Sequence, residues 1–224
     1  LGPGERLVVF DGAVLNGTSI RLGFGLSGSG DSLFLTEGLD SQRVIVDQVV
    51  FGDQIADHSI ALFGEDEWRL AFPTPGKDNE PTVTGFPDQL RINEWLAVGG
   101  KGEEFIEIFN RDALPVSMGG LHLSDQPLGR PNRQTFPPLS FVEGKGFFRV
   151  SNLNFRLNAL QGRLGLFSKD LHLIDFVQYG LQRRAVSQGR FPDGNSSLVS
   201  LVEPSLGKPN SALGRHLQIL EVYP

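Results

Sequence analysis

The sequence has 224 residues, a net charge of −6 at neutral pH and no cysteine. The acidic balance argues against a general nucleic-acid-binding protein, because phosphate contacts need clustered lysine and arginine side chains. Without cysteine, disulfides and thiolate metal sites are excluded. No apolar run reaches the roughly 18 residues that cross a bilayer, so we expect no membrane insertion. The first residue is Leu1 and no signal peptide is visible, so we expect the chain to begin inside a longer protein.

Short apolar runs separated by turns that contain glycine or proline predict strands, and no segment has the apolar spacing of a capped helix. VIVDQVVF at residues 44–51 is the clearest strand, because its β-branched side chains suit a half-buried sheet. Asn16-Gly17 predicts a hairpin turn, since both residues accept positive φ. The strands predicted before residue 80 are residues 6–10, 19–23, 32–36, 43–51 and 59–62.

Residues 80–89, EPTVTGFPDQ, are predicted to form a linker. The strands predicted after it are residues 90–97, 104–110, 121–123, 147–150, 163–167, 173–179 and 197–201, with a proline-rich crossing at 136–139. Short strands with turn signals every 8–12 residues or so favour an immunoglobulin-like sandwich. The predicted fold is therefore all-β, with tandem immunoglobulin-like β-sandwiches.

The chain also repeats itself. Blocks within residues 3–79 resemble blocks within residues 143–210 in the same order: 3–10 with 143–150, 24–35 with 155–167, 44–52 with 172–180, 58–63 with 186–191, and 72–79 with 203–210. The comparison places Asp47 opposite Asp175 and Gly30 opposite Gly162. Residues 90–139 have no counterpart in the first copy. LQILEVYP at residues 217–224 echoes LRINEWLA at residues 90–97 through Leu-x-Ile-x-Glu.

These comparisons divide the chain into four parts: a partial copy at residues 1–79, the linker at 80–89, a complete copy at 90–210 and a C-terminal strand at 211–224. The last part is interpreted as the start of a further repeat or as a strand donated to another subunit. Three explanations for the partial copy stay open. The chain is a piece of a longer array, another chain supplies the strands, or the first copy is a shorter sandwich that shares an interface with the second.

Several motifs in the second copy carry a family resemblance: INE (92–94), EFIEIFN (104–110), GLHLSD (120–125), TFPPL (135–139), SQGRFPDG (187–194) and GKPN (207–210). With these motifs in this order, residues 90–210 resemble the lamin-tail domain, an immunoglobulin-like β-sandwich of nuclear lamins and of bacterial and archaeal secreted or envelope proteins. The first copy lacks the INE and FIEI motifs and has HSIALFGE in place of the SxxRxPDG pattern. The resemblance implies a non-catalytic unit of prokaryotic surface proteins, sometimes appended to secreted hydrolases.

Two local motifs resemble catalytic or cofactor sites. GFGLSG at residues 23–28 fits G-x-G-x-x-G, but a dinucleotide site needs a following helix, and GDSLFLTE predicts a strand. Asp57-His58-Ser59 has the residue types of a triad, yet triad partners come from separate segments. We interpret both motifs as turns.

The remaining histidines, His122, His172 and His216, lie singly in strand-like runs and predict outward residues rather than zinc ligands. Asn16 and Asn195 begin formal N-glycosylation sequons, whose occupancy the sequence leaves open. No catalytic, cofactor-binding or metal-binding residue is assigned.

Five acidic and amide residues on neighbouring predicted strands would bring their oxygens together if the strands are adjacent: Asn93, Glu94, Glu107, Asn110 and Asp125. Ca²⁺ takes about six to eight oxygen ligands, but no D-x-D-x-D loop is present. The preferred interpretation is structural: Glu107 and Asp125 accept hydrogen bonds from loop backbones or pair with Arg190. Asp47 and Asp175 are likewise interpreted as turn or edge hydrogen-bonding residues.

The sequence therefore predicts a non-enzymatic structural or adhesive module of a prokaryotic extracellular or cell-surface protein. It would assemble into a fibre or layer by strand exchange or head-to-tail packing. The expected partners are further copies of the chain or other surface proteins, without nucleic acid or cofactor. The alternative is an accessory binding part of a secreted hydrolase whose catalytic domain lies outside these residues. A Ca²⁺-stabilised or glycan-binding module is a third, weaker option.

Overall fold

The computed structural model describes residues 2, 4–10, 20–38, 42–97, 104–150, 152–201 and 203–211. Strands account for 41% of the residues and no α-helix occurs in these ranges, so the predicted all-β class is confirmed. Within the same ranges, no helix has the length and apolar character needed to cross a membrane. The hairpin predicted at Asn16-Gly17 and the strand predicted at residues 217–224 lie outside the described residues.

Seven strands precede residue 85, and two of them are seven or eight residues long. They are β1 (Val9–Phe10), β2 (Ile20–Arg21), β3 (Asp31–Glu37), β4 (Val44–Phe51), β5 (Ser59–Phe63), β6 (Glu67–Phe72) and β7 (Glu80–Pro81). A short 3-10 helix follows at Pro87–Gln89. The sequence prediction missed β6, and the predicted linker contains β7 and the 3-10 helix.

Eleven described strands follow. They are β8 (Leu90–Leu96), β9 (Phe105–Asn110), β10 (Val116–Ser117), β11 (His122–Ser124), β12 (Gln134–Thr135), β13 (Phe141–Val142), β14 (Phe147–Val150), β15 (Gly162–Phe167), β16 (Leu173–Tyr179), β17 (Gln188–Arg190) and β18 (Leu198–Ser200). The longer strands agree closely with the predicted ranges, whereas β10, β12, β13 and β17 were not predicted.

The chain forms two compact units. Unit 1 comprises Leu1–Thr84, Ser117–Gly119 and Pro137–Val142, and unit 2 comprises Gly85–Val116, Gly120–Phe136 and Glu143–Pro224. Unit 1 therefore includes two pieces from the part of the sequence that resembles a complete repeat. The domain limits predicted from the repeat stay a prediction.

Unit 2 has two antiparallel sheets with the character of a β-sandwich. One has the order β14-β9-β8-β17-β18 and the other β12-β11-β15-β16. β8 packs against β15 and β16 of the opposite sheet. Trp95 on β8 is fully buried, and its ring lies 5.6 Å from the ring of Tyr179 on β16. β8 is thus the central strand around which the core of unit 2 is built.

Unit 1 is built from small sheets: the parallel pair β1-β2, the hairpin β3-β4 and the three-stranded sheet β5-β6-β7. β10 pairs with β13. The later pieces of the chain join the end of β4 through backbone hydrogen bonds. The N–H of Gly52 donates to the Pro138 carbonyl at 2.9 Å, and the N–H of Phe141 donates to the Asp53 carbonyl at 2.9 Å.

The hairpins β3-β4 and β15-β16 have the same register and the same irregularity. In the first hairpin Leu35 pairs with Asp47, and the register shifts at the next residue of β3. In the second hairpin Leu166 pairs with Asp175, and the register shifts at the next residue of β15. A shared β-bulge bends both ladders at the same place. The two hairpins are therefore structural copies, and Asp47 and Asp175 occupy equivalent positions.

Candidate functional site

Glu94 on β8 and Glu107 on β9 are paired directly across the two strands of unit 2. Both residues are completely buried, with 0% exposure. The register of the two strands shifts between Ile92 and Glu94, which makes room for Asn93 and turns Glu94 to face Glu107. Two carboxylates this close repel each other unless one is protonated or both accept hydrogen bonds. This buried carboxylate pair is the candidate site.

A loop at residues 203–210, here called the closing loop, supplies hydrogen-bond donors to both carboxylates. The N–H of Ser205 lies 3.1 and 3.2 Å from the two carboxylate oxygens of Glu94, and its hydroxyl donates to Oε2 at 2.9 Å. The N–H of Gly207 donates to Oε2 of Glu107 at 2.6 Å. Gly207 has a φ of 73°, a conformation that glycine adopts without strain. The carboxylate pair therefore holds the closing loop through backbone groups.

Asn210 fastens the end of the closing loop. Its side-chain amide donates to the carbonyl of Arg190 at 2.8 Å and to the carbonyl of Asn93 at 3.3 Å. Its backbone N–H donates to Asp193 Oδ1 at 3.1 Å, and its Oδ1 lies 2.7 Å from the Ser205 hydroxyl, whose single proton is shared between Asn210 and Glu94. Donor and acceptor atoms of this buried side chain are both used, so it fits this position better than an acidic or apolar residue would.

Burial raises the pKa of Glu107 to about 7. The hydrogen bond from Gly207 opposes this shift, and the negative charge of Glu94 adds to it. The pKa of Glu94 is also raised by burial, against the hydrogen bonds from Ser205. In the described part of the chain, Oε1 of Glu107 is buried without a hydrogen-bond partner. Glu107 is thus the member of the pair that holds a proton near neutral pH.

A buried ion pair joins the two sheets of unit 2. Nη2 of Arg190 on β17 lies 3.0 Å from both carboxylate oxygens of Asp175 on β16. Arg190 also donates from Nε to the Ile92 carbonyl at 2.9 Å, and Asp175 Oδ2 accepts the Ile92 N–H at 2.8 Å. Asp175 lies on β16, an edge strand of its sheet, and accepts hydrogen bonds there, in agreement with its interpretation as an edge residue; its partners lie on β8 and β17 of the opposite sheet.

Of the five predicted oxygen-bearing residues, Glu94 and Glu107 meet at the buried pair with Asn93 beside them, whereas Asn110 and Asp125 make contacts elsewhere. The Asn110 amide donates to loop carbonyls, including that of Leu114 at 2.8 Å. Asp125 pairs with Arg133 at 2.5 Å, so its predicted partners were wrong. The prediction that loop backbone groups bind Glu107 is confirmed by Gly207. Adjacent strands bring Glu94 and Glu107 together, while residues of turns and loops supply the hydrogen-bond partners of Glu107, Asn110 and Asp125.

The carboxylate pair supplies hydrogen-bond acceptors and one carboxyl that titrates near neutral pH. The groups that face it from the closing loop are N–H and O–H donors, which suit an anion rather than a cation. Across the described ranges, no three His, Asp or Glu side chains meet in a group that could hold a metal ion. This arrangement attaches the closing loop to β8 and β9. The strength of the attachment depends on whether Glu107 is protonated.

The motifs that resemble catalytic or cofactor sites are turns. Residues 23–28 lead into β3 instead of a helix, as predicted. Asp57 lies in a turn with a φ of 57°, and His58 Nδ1 contacts the Ala56 carbonyl at 2.8 Å. Ser59 begins β5. Asp57, His58 and Ser59 therefore belong to one surface turn and the strand that follows.

The other predicted positions have no shared geometry. His122 lies on β11, while His172 is exposed in the turn before β16. Asn195 is exposed, and its Oδ1 accepts the N–H of Ser196 at 2.6 Å. Two residues lie outside the described ranges: Asn16 and His216.

A groove on unit 2 encloses about 360 Å³ and is lined by Asp125, Gln161, Gly162, Arg163, Gln178 and Tyr179. Tyr179 is only 6% exposed, because its ring packs against Trp95. The groove therefore offers polar groups but no open aromatic face on which a sugar ring would stack.

The turn of the closing loop recurs in unit 1. The N–H of Lys208 donates to the Ser205 carbonyl at 2.8 Å, and the N–H of Lys77 donates to the Thr74 carbonyl at 3.0 Å. Gly76 has a φ of 74°, which matches that of Gly207. Residues 72–79 therefore form a second closing loop, equivalent to the one that binds the carboxylate pair.

Sequence reasoning missed the roles of Ser205 and Asn210 at this site, and it expected Arg190 to pair with Glu107 or Asp125, whereas Arg190 pairs with Asp175. A signal was present, because the blocks that contain them, 186–191 and 203–210, recur in the first copy as 58–63 and 72–79. Their recurrence marked structural anchors, but the sequence did not show which strand each anchor would bind.

In comparisons with known proteins, no family model, no curated protein and no solved structure matches the chain.

Proposed function

We propose that the chain is a non-enzymatic structural or adhesive module of a prokaryotic extracellular or cell-surface protein. In this proposal its units are tandem immunoglobulin-like sandwiches of the lamin-tail type. Copies associate with one another, through strand exchange or head-to-tail packing, into a fibre or layer. The proposal is supported by the resemblance of residues 90–210 and by an exposed apolar surface on unit 1.

The exposed apolar surface lies on the hairpin β3-β4. Its members are large apolar side chains that are 45% or more exposed: Phe34, Leu35, Val44, Ile45, Val46 and Val50. Isolated surface apolar residues are ordinary, but six large ones on a single hairpin, distributed over both of its faces, are typical of an interaction site. This surface is the observation that carries the proposal.

On the equivalent hairpin of unit 2, the apolar side chains that correspond to Leu35 and its neighbours on the same face are buried. Leu166 and Leu164 on β15 are 0% exposed, because β8 packs over them. Leu35, the counterpart of Leu166, is 61% exposed. Burying a leucine side chain stabilises a protein by about 1.5–3 kcal/mol, so covering this face is strongly favourable.

The buried carboxylates support a structural role for unit 2. Glu94 and Glu107 bind the closing loop, and Asp175 pairs with Arg190. Each is engaged by groups of the fold itself, which favours a binding module over an active site.

Sedimentation velocity over a range of concentrations, followed by negative-stain electron microscopy, tests the proposal. We expect association that grows with concentration, and its loss in Leu35→Lys. Leu173→Lys is the matched control, because Leu173 is also exposed, at 57%, on the equivalent hairpin of unit 2. A wild-type chain that stays monomeric at every concentration would contradict self-association and favour an accessory domain of a hydrolase.

A further inference from the structure

β5 is an edge strand of unit 1. The three-stranded sheet has the order β5-β6-β7, so in the described part of the chain one side of β5 has no partner strand. Its counterpart β17 lies between β8 and β18. β5 corresponds to β17 because residues 58–63 resemble residues 186–191, and β6 takes the place of β18 beside it. The open side of β5 is therefore the side that β8 occupies in unit 2.

A side-chain hydrogen bond confirms that β5 and β17 are equivalent. Asn79, in the closing loop of unit 1, donates from Nδ2 to the carbonyl of Leu62 on β5 at 2.9 Å. Asn210 donates in the same way to the carbonyl of Arg190 on β17 at 2.8 Å. Leu62 and Arg190 are matched residues of the two blocks. The closing loop thus lies against the same point of the strand in both units.

The open side of β5 is the first difference between the two units, and the hydrogen bonding of Asp47 is the second. In unit 2, Asp175 Oδ2 accepts the N–H of Ile92 on β8 at 2.8 Å. Asp47 occupies the equivalent position but, among the described residues, accepts only the N–H of its neighbour Gln48 at 2.8 Å. Its exposed carboxylate is available to accept the backbone N–H of a strand that takes the place of β8.

Thr74 provides a third difference. Its counterpart Ser205 donates both its N–H and its hydroxyl to Glu94 on β8. Across the described residues, neither donor of Thr74 has an acceptor, although the turn around it matches that of Ser205. Thr74 therefore lacks the carboxylate that β8 supplies in unit 2.

In unit 2 the strand β8 makes all three contacts: it pairs with β17, donates an N–H to Asp175 and supplies the Glu94 carboxylate to Ser205. Its Leu-x-Ile-x-Glu pattern recurs in residues 217–221, where Ile219 corresponds to Ile92 and Glu221 to Glu94. The spacing between the N–H needed by Asp47 and the carboxylate needed by Thr74 is therefore present in the C-terminal sequence.

We propose that residues 217–224 of a second copy add to the open side of β5. Glu94 and Trp95 on β8 lie opposite Gly189 and Gln188 on β17. The same register sets Glu221 opposite Ala61, and Val222 opposite Ile60. The second copy then supplies the Ile219 N–H to Asp47 and the Glu221 carboxylate to Thr74, and covers the face that contains Leu35. This inference rests on the proposed self-association and names the contact that produces it.

Disulfide cross-linking tests the register directly, because the chain has no cysteine of its own. Ile60→Cys and Val222→Cys variants are mixed under mild oxidation. Directly opposed residues of antiparallel strands have Cβ atoms about 4.5–5.5 Å apart, close enough for a disulfide after small adjustments. We expect a cross-linked heterodimer. Ile60→Cys mixed with Tyr223→Cys is the control, since neighbouring residues point to opposite faces of a strand, and its dimer band should be lost.

A charge variant tests the Glu221 contact without cysteine. Glu221→Gln should raise the dissociation constant of self-association about tenfold, as expected for the loss of hydrogen bonds to a charged group. Glu203→Gln, at an exposed acidic position in the closing loop, should leave it unchanged.

The outcomes separate the inference from the proposed function. Association without cross-linking, and without an effect of Glu221→Gln, overturns the strand contact but leaves self-association standing. A monomeric chain without cross-links overturns both. If the Ile60→Cys/Val222→Cys double variant gives only an internal disulfide in a monomer, the strand belongs to the same chain, and the second copy is overturned.

Discussion

Gly52 and Gly180 directly follow the equivalent strands β4 and β16 but have different surroundings. A Cβ atom on Gly52 would lie 2.9 Å from Cβ of Pro137 and would also meet the Ser140 side chain. A Cβ atom on Gly180 would meet nothing within 4 Å. We expect Gly52→Ala to destabilise unit 1 by about 1–3 kcal/mol, the ordinary cost of overpacking. Urea denaturation measures the change, with Gly180→Ala as the control; equal effects of the two variants would contradict the close approach.

Glu107 should make the stability of unit 2 fall as pH rises. Its pKa is about 7 in the folded chain against an ordinary 4.5, so the folded state holds a proton that the unfolded state releases between these values. Stability is then greatest below about pH 4.5 for this group and falls by about 3 kcal/mol by the time the pH exceeds 7. Glu107→Gln should remove this dependence and stabilise unit 2 most at pH 8.

Urea melts at pH 5 and pH 8 measure this effect. The chain has two tryptophans, Trp68 in unit 1 and Trp95 in unit 2, so a Trp68→Phe background reports unit 2 alone. If Glu107→Gln and the parent chain lose the same free energy of unfolding between the two pH values, the protonated carboxyl is refuted.

Asp175→Asn should destabilise unit 2 by about 3 kcal/mol, because it leaves the buried guanidinium of Arg190 without a counter-charge. Asp47→Asn is the matched control at the equivalent position of unit 1. Asp47 is exposed, so its substitution should change the free energy of unfolding of the isolated monomer by less than about 0.5 kcal/mol. Thermal denaturation at low protein concentration distinguishes the two, and similar losses would contradict the difference in burial.

Asn210→Asp should cost about 2–4 kcal/mol. The substitution replaces an amide donor with a carboxylate that faces the carbonyls of Arg190 and Asn93 and adds a charge near Asp193. Asn79→Asp, at the equivalent exposed position of unit 1, should cost less than about 1 kcal/mol. Amide hydrogen exchange of the two closing loops measures the local stability of each unit separately. If residues 203–210 stay protected from exchange in Asn210→Asp, the Asn210 hydrogen bonds do not hold the closing loop.

The strands could be predicted from the sequence because the alternation of apolar and polar residues and the turn residues are local signals. β14 and β16 have the predicted bounds, β4 and β15 differ by one residue at one end, and β3 differs by one residue at each end. Two-residue strands such as β12 and β13 carry too few residues for a period to be visible. β17 was missed because Gly189 breaks its pattern; it is glycine because a Cβ there would meet the Asn93 carbonyl at 2.5 Å.

The repeat was also visible in sequence, but its detailed alignment depended on the backbone. The ladder pairs Gly162 with Tyr179 and Asp31 with Phe51, so Gly162 corresponds to Asp31 rather than to Gly30. Hydrogen-bond partners of buried polar groups were least predictable, because they come from distant turns. Glu107 and Gly207 are 100 positions apart, and no local pattern connects them.

Unit 1 is made of three segments that are not consecutive in sequence, and this arrangement sets the order in which the chain is able to fold during its synthesis. Ser117–Gly119 and Pro137–Val142 belong to unit 1, although 32 residues of unit 2 separate its first piece from its second. As the polypeptide leaves the ribosome, the strands up to β7 emerge first. At that stage Pro138 and Phe141, whose backbone groups bind Gly52 and Asp53, have not yet been exposed. Unit 1 reaches its final hydrogen bonding only after Val142 has emerged, by which time β8 and β9 are already outside the exit tunnel.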